Sequence, residues 1–220
     1  MDTSYIDDAI SYPMNKLNLK DYIAATLLWL FSFLLIPLIY LYGYGVKVLQ
    51  VTINDEELPH ILNTNTKEML MHGLSYIAIL ISYGLVSFLL AGIIVGPVYI
   101  FTESMLLLGI ASLFGFFVIM AQSFVSFISI MIYADGGSIK SSFNFTKIKR
   151  ILLSKEYLIA QIGVFIVSFT VSLIYTMITS IPLIGALIAL MSVPFLPAIS
   201  LFIQVTVFRF FGLVYNDITA

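Results

Sequence analysis

The sequence predicts an all-α, polytopic transmembrane helical bundle of about five spans, with short amphipathic helices lying at the interface. Three observations carry that expectation. Apolar residues make up 60% of the 220, charged residues 10%, and the mean hydropathy is +1.06. A soluble domain is about half apolar and about a quarter charged, and a globule this small has too little interior to hide the excess. Charge is also missing in long blocks, each long enough for one or two helical crossings of about 20 residues. Finally, the Leu/Ile/Phe-rich runs lack the two-residue alternation of a barrel, and in lipid only helices and closed barrels satisfy their backbone. A soluble monomer, a disordered chain and a nucleic-acid binder are excluded together. The net charge of −2 offers no basic block for nucleic acid, and the absence of Cys excludes disulfides and thiolate chemistry.

The spans follow from the gaps in charge. Tyr22 to Val46 carries no Asp, Glu, Lys, Arg or His, Gly73 to Ala134 only Glu103, and Tyr157 to Phe208 none. The first gap holds one helix. The second holds two, divided at Gly96-Pro97, and the third two, divided at Ser180-Ile181-Pro182. Expected spans are 21–42, 73–95, 104–134, 156–179 and 184–214, in a single integral membrane domain over 1–220. A further split inside 104–134 is rejected, since Leu113 to Met120 offers no polar turn. Pro194 and Pro197 are expected to kink the fifth span, as a fixed bend first and a hinge second.

Polar segments lie between. Residues 4–18 read as a surface helix and a turn. Thr64 or Thr66 is placed to cap a short helix into the second span. Asp135-Gly136-Gly137 turns the chain, and residues 143–153 set Phe143, Phe145, Ile148, Ile151 and Leu152 against Lys147, Lys149 and Arg150. That pattern fits a helix in the interface or one packed on its own bundle. Met1 to Asp8 holds three Asp and no base, the reverse of a signal peptide's start.

Five spans put the N-terminus opposite the C-terminus. Eight of the ten basic residues then share the C-terminal side, leaving Lys16 and Lys20 across the membrane. Positive charge marks the cytoplasmic face, so a multi-pass cell-membrane protein with a cytoplasmic C-terminus is expected. The alternative is a first stretch, broken by Pro37 and Gly43-Tyr44-Gly45, that dips in and returns. It places all ten basic residues inside.

Ile36-Pro37, Gly43-Tyr44 with a basic residue soon after, Leu58-Pro59, and His72-Gly73 opening a span form an ordered series. It continues with Ala134-Asp135-Gly136-Gly137, Phe143-Asn144-Phe145, Ile181 to Gly185, and Gly212 to Tyr215. The series resembles the prokaryotic, mainly archaeal, membrane family called domain of unknown function 4013, over nearly the whole chain. The resemblance implies membrane location and topology class, and no activity. One departure is His72-Gly73, where the family commonly has Asp-Gly. A weaker internal echo sets Lys20-Asp21-Tyr22 and Leu38-Ile39-Tyr40 beside Lys155-Glu156-Tyr157 and Leu173-Ile174-Tyr175. Chance is its leading explanation.

Candidate sites are few. Gln122, Ser126, Ser129 and Tyr133 share one helix face, as do Gln161, Ser168, Ser172, Tyr175 and Thr179. Such seams pack helices together, or line a polar cavity. Gly92-x-x-x-Gly96, Ala111-x-x-x-Gly115 and Gly185-x-x-x-Ala189 are close-packing positions. Glu103 and Arg209 are the candidate intramembrane charges. Arg209 is expected to pair with lipid phosphate or with the Asp55-Glu56-Glu57 loop. His60 and His72 have no metal-ligand spacing, so neither metal nor cofactor is expected. No nucleophile elbow, His-Glu-x-x-His, phosphate loop or intramembrane carboxylate pair is present, and enzyme chemistry is not expected. The expected role is a non-enzymatic structural or assembly protein whose partners are the lipid bilayer, a second copy or a membrane complex. The alternative is a small transporter or channel for an ion, lipid or apolar solute.

Overall fold

The computed structural model describes residues 4–181, 192 and 195–219. Among them are eight α-helices: α1 Ser4–Lys16, α2 Leu19–Leu30, α3 Ile36–Ile53, α4 Thr66–Phe101, α5 Met105–Gly136, α6 Phe145–Leu152, α7 Lys155–Thr179 and α8 Leu196–Thr219. The described residues contain no strand. Five helices, α3, α4, α5, α7 and α8, are long and apolar enough to cross a membrane. The fold class is therefore a helical membrane bundle. The chain divides into two compact units, 1–74 with 153–220, and 75–152.

In the first unit α3 and α8 run side by side and parallel. Gln204 Nε2 donates to the Leu41 carbonyl at 3.0 Å, and Asn216 Nδ2 to the Thr52 and Ile53 carbonyls at 3.3 and 3.2 Å. The offset stays at 163 or 164 residues, so the two helices keep one register. Tyr44, Val46, Leu49, Val51, Phe211, Val214 and Tyr215 are buried between and around them. Tyr157, in the first turn of α7, packs on Phe211 with ring centroids 6.0 Å apart. The start of α4 meets α3 backbone to backbone. A Cβ at Gly43 would collide with the Met69 carbonyl, and one at Gly73 with the Ile39 carbonyl. Only glycine permits this approach.

The expected single helix over 21–42 is two helices. α2 ends at Leu30, a 3₁₀ turn covers Ser32–Leu34, and α3 begins at Ile36. Proline explains the break. Pro37 stands in the first turn of α3, where its missing N–H is not needed, and its ring excludes the carbonyl four residues earlier, so the helix does not continue back from it. Leu35, with φ 63° and ψ −40°, reverses the chain. Gly43 and Gly45, read as weak points, lie mid-helix at close contacts.

In the second unit α4 and α5 form an antiparallel hairpin. Ser129 Oγ donates to the Tyr83 hydroxyl at 2.9 Å, and the Tyr99 and Ser112 hydroxyls meet at 2.5 Å. α5 closes on Gly137, whose φ of 64° lets its N–H reach the Tyr133 carbonyl at 2.7 Å. Phe143 stacks on Tyr83, centroids 5.5 Å apart, and α6 buries Ile148 and Ile151 while Lys149 and Arg150 face out. The division expected at Gly96-Pro97 lies later, at Thr102–Ser104, because α4 continues through Pro97. One proline removes one backbone donor, whereas a turn there would bare several groups in apolar surroundings. α4 is capped by Asn65, whose Oδ1 accepts from Lys67 N at 3.0 Å, and not by Thr64 or Thr66. Pro182, Pro194 and the Gly185-x-x-x-Ala189 step lie outside the described residues. Pro197 is buried at the second position of α8.

Replacing Gly43 or Gly73 with Ala is expected to cost at least about 2 kcal/mol, because carbonyls and not flexible side chains stand in the way. Gly92→Ala, where a Cβ meets nothing within 4 Å, is the matched control and should not destabilise. Unfolding in mixed micelles reads the difference. A Gly43→Ala protein as stable as the parent would refute the close approach.

Candidate functional site

Among the described residues a polar cluster gathers at the start of α2 and the segment after α3. Asn18 caps α2: its Oδ1 accepts from Asp21 N at 3.1 Å, while Asn18 N donates to Asp21 Oδ2 at 3.0 Å. This reciprocal box satisfies two helix-end donors. Asp21 is 1% exposed and carries more than the cap. Its Oδ1 accepts from Ile61 N at 2.9 Å, and its Oδ2 lies 2.8 Å from His60 Nδ1. A buried carboxylate survives only where hydrogen bonds replace its lost water, and here both oxygens are occupied.

The same segment is held from α3. Tyr40 donates its hydroxyl to the Ile61 carbonyl at 2.7 Å and also meets Thr64 Oγ1, and Tyr44 donates to the Pro59 carbonyl at 3.2 Å. One turn further along, Lys47 Nζ pairs with Glu68 at 2.8 Å, and His72 Nε2 lies 3.5 Å from the same carboxylate. Residues 59–64 are thus tied to α2 by Asp21 and to α3 by two tyrosines. Chemically the cluster is a latch. Asp21 and His60 form an acid–imidazole pair, with His60 half-exposed. The His60 ring meets the Asn18 amide and the Asp21 carboxylate, and among the described residues it bonds no serine or threonine hydroxyl. Among the described residues no three His, Cys, Asp or Glu gather to hold a metal.

A second latch joins α1 to α8. Arg209 Nη2 pairs with Asp8 Oδ2 at 2.9 Å, and its guanidinium lies 4.2 Å from the centre of the Tyr12 ring. Burial pushes the Tyr12 phenol up from its ordinary value, and the Arg209 charge pulls it part of the way back. Lys16 and Glu57 add a wider pair at 3.8 Å. Arg209 therefore pairs with Asp8, and not with Asp55, Glu56 or Glu57 as expected.

The residues singled out from the sequence fall elsewhere. On α5, Ser126, Ser129 and Tyr133 are buried and Gln122 is half-buried beside Gly84. On α7, Gln161 is half-buried with Oε1 enclosed and unpartnered, whereas Ser168, Ser172 and Tyr175 are exposed. Glu103 lies exposed in the turn between α4 and α5. A Cβ at Gly92 or Gly96 would meet nothing within 4 Å, so among the described residues neither is a close helix–helix contact. The internal echo is not a structural repeat. α2 buries Asp21 where α7 buries Tyr157, and Tyr40 lies on the next helix while Tyr175 remains on the same one.

Asp21, Asn18, Tyr40 and Asp8 did not emerge as site residues from the sequence. One signal was present: Asn18-x-x-Asp21 has the spacing of a capping box.

Residues 27–180, which are 154 of the 220, match the family described as Protein of unknown function (DUF4013), and the chain belongs to that family. No curated protein and no solved structure matches it.

Asp21→Ala strands the buried Ile61 N–H, and an unpaired buried donor costs about 1–3 kcal/mol; it also removes one of the two bonds of the capping box at the exposed Asn18. The expected loss is about 2–4 kcal/mol, with Asp21→Asn losing less because one carbonyl acceptor remains. Unfolding in mixed micelles checks this. A loss under about 0.5 kcal/mol for Asp21→Ala, the range of an ordinary surface change, would show that the latch is incidental.

Proposed function

We propose that this DUF4013 member is a non-enzymatic assembly protein of the membrane, which works through helix–helix contact and pairs first with a second copy of itself. The observation that carries this reading is α7. Beyond Ala160 the helix leaves Phe165, Val167, Phe169, Val171 and Met177 exposed, and with them the polar line of Ser168, Ser172 and Tyr175. Polar side chains of a membrane helix turn toward other helices, with about 0.6 kcal/mol per interhelical hydrogen bond. Hydroxyls both donate and accept, so this line is self-complementary, as a two-fold interface requires.

The transporter reading has less to rest on. Among the described residues two hollows lie along α4 and α5, one of them lined by Ile94, Pro97, Phe101, Leu107, Ile110 and Phe114. The other is lined by Phe88, Ala91, Val95, Tyr99, Gly115 and Ile119 among its residues. Both are open and apolar, surfaces for a lipid tail or a neighbouring helix.

The Cys-free sequence makes the test direct. Ser172→Cys in native membranes should give a covalent dimer under mild oxidation. Ile174→Cys, on the opposite side of the helix, should give far less. Equal cross-linking at both positions would discard the face, and neither cross-link together with a strict monomer by native mass spectrometry would discard the function.

A further inference from the structure

We propose that α2 and α3 form a re-entrant hairpin, which enters the hydrocarbon from the side that carries Arg209, reaches about its middle and returns, with lipid acyl chains as its partner. The inference shares only the membrane location with the assembly reading, and its test reads sidedness and depth instead of pairing.

The first support is where the hairpin begins and ends. Asp21 at the start of α2 is bonded to Ile61 and His60 beyond the end of α3. Lys16, ahead of α2, pairs with Glu57, and Asp8 pairs with Arg209 in the C-terminal half of α8. Since α3 and α8 run parallel, their C-terminal ends lie together. The chain before α2 and the chain after α3 therefore occupy one end of this unit. An even number of crossings, zero or two, separates them.

Length decides between zero and two. α2 has 12 residues, about 18 Å at 1.5 Å per residue. On the return arm, the stretch from Leu35 to the first charge at Lys47 is again 12 residues, about 18 Å. The hydrocarbon core is about 30 Å thick. Neither arm reaches across without drawing Lys20, Asp21 or Lys47 into lipid, and each passes just beyond the midplane.

The surface fits lipid. Ile23, Leu27, Leu30, Phe33, Leu34 and Ile36 are all more than half exposed, and no charged residue interrupts the stretch between Asp21 and Lys47. Backbone at that depth must satisfy itself. At the tip Phe31 N bonds Leu27 O, Leu34 N bonds Phe31 O, Leu35 N bonds Ser32 O and Ile39 N bonds Leu35 O, all between 2.9 and 3.1 Å. Pro37 has no N–H to satisfy. At the other end, α1 buries Ala9, Tyr12 and Pro13 on one face and exposes Ile6, Ile10 and Met14 at four-residue spacing on another. That outer stripe beside Arg209 is the pattern of a helix lying in the headgroup region.

With α4, α5, α7 and α8 crossing, both terminal segments share one side. Lys16 and Lys20 then join the other basic residues, so all ten lie on one face, the cytoplasmic one.

Single-cysteine labelling with a membrane-impermeant maleimide, in right-side-out and inverted vesicles, tests the arrangement. Ser4→Cys and Asp217→Cys should react from the same side, and Ser180→Cys from the other. Ser32→Cys, at the tip, should react from neither side until detergent is added. Labelling of Ser4→Cys and Asp217→Cys from opposite sides would overturn the proposal, as would labelling of Ser32→Cys in intact vesicles of either orientation. The unaltered protein supplies a second measurement, since Trp29 is its sole tryptophan and lies on the hairpin with 39% of its surface exposed. Trp29 fluorescence in brominated-lipid vesicles should be quenched most by bromine deep in the acyl chain. Quenching strongest for bromine near the headgroup would overturn the depth, and no quenching at all would show that protein, not lipid, covers the hairpin.

Discussion

The buried Asp21 carboxylate organises the first unit. Its oxygens take up the start of α2 through Asn18 and the return segment through Ile61 and His60. With residues 59–64 held there, Tyr40 and Tyr44 of α3 find carbonyls to donate to. α3 so placed offers Leu41, Thr52 and Ile53 carbonyls to the amides of α8. Each step supplies the acceptor the next one needs, from one ionisable group to the parallel α3–α8 pair. A carboxylate suits the task because its two oxygens offer about four acceptor sites in diverging directions, where an amide or hydroxyl oxygen offers about two.

The packing is uneven along the helices, and the membrane explains why. In the first unit the buried side chains cluster from Tyr44 to Thr52 on α3 and from Leu201 to Tyr215 on α8, with Tyr157 and Ala160 of α7. Toward the other end Phe33, Leu34, Ile199 and most of α7 are exposed. In water, burying those residues would drive helices together. In lipid the tails are as apolar as leucine, so that force is absent and association rests on contact and hydrogen bonds. The end rich in charge and tyrosine therefore holds the fold, and the apolar end is left free to meet lipid or another helix.

The gaps in charge made the helical membrane class legible, because the cost of charge in hydrocarbon acts on every residue of a span. Prolines were less legible. Pro37 stands in the first turn of a new helix and Pro97 inside a continuous one, although both follow apolar stretches. The difference lies in what surrounds them: Asp21 and Ile61 draw the arms of the first stretch into a hairpin, while α4 has α5 beside it beyond Gly96. Long-range partners settle such cases, and a single sequence does not show them. The polar seams illustrate the same limit. Spacing places Ser129 and Ser172 each on a polar face, but only the tertiary structure shows Ser129 against Tyr83 and Ser172 open. Asp21 is hard to read from sequence for a related reason. Its capping role is local and its buried role depends on residues about 40 positions away.

Leu35 shows how the hairpin tip meets the demands of lipid. A non-glycine residue held at positive φ in a sparsely populated region costs about 1–3 kcal/mol, and glycine would remove that strain. Yet the strained φ of 63° is part of a turn in which Leu35 donates to Ser32 and accepts from Ile39. A bare backbone group in hydrocarbon costs several kcal/mol, more than the strain. The side chain works in the same direction. Transfer of a leucine from water to an apolar medium is favourable by about 2 kcal/mol, and Leu35 is 64% exposed at the tip. Glycine there would relax the backbone but forfeit the lipid contact and add freedom to the unfolded chain. A strained leucine is thus the better residue for a turn made inside a bilayer, and a poor one for the same turn in water.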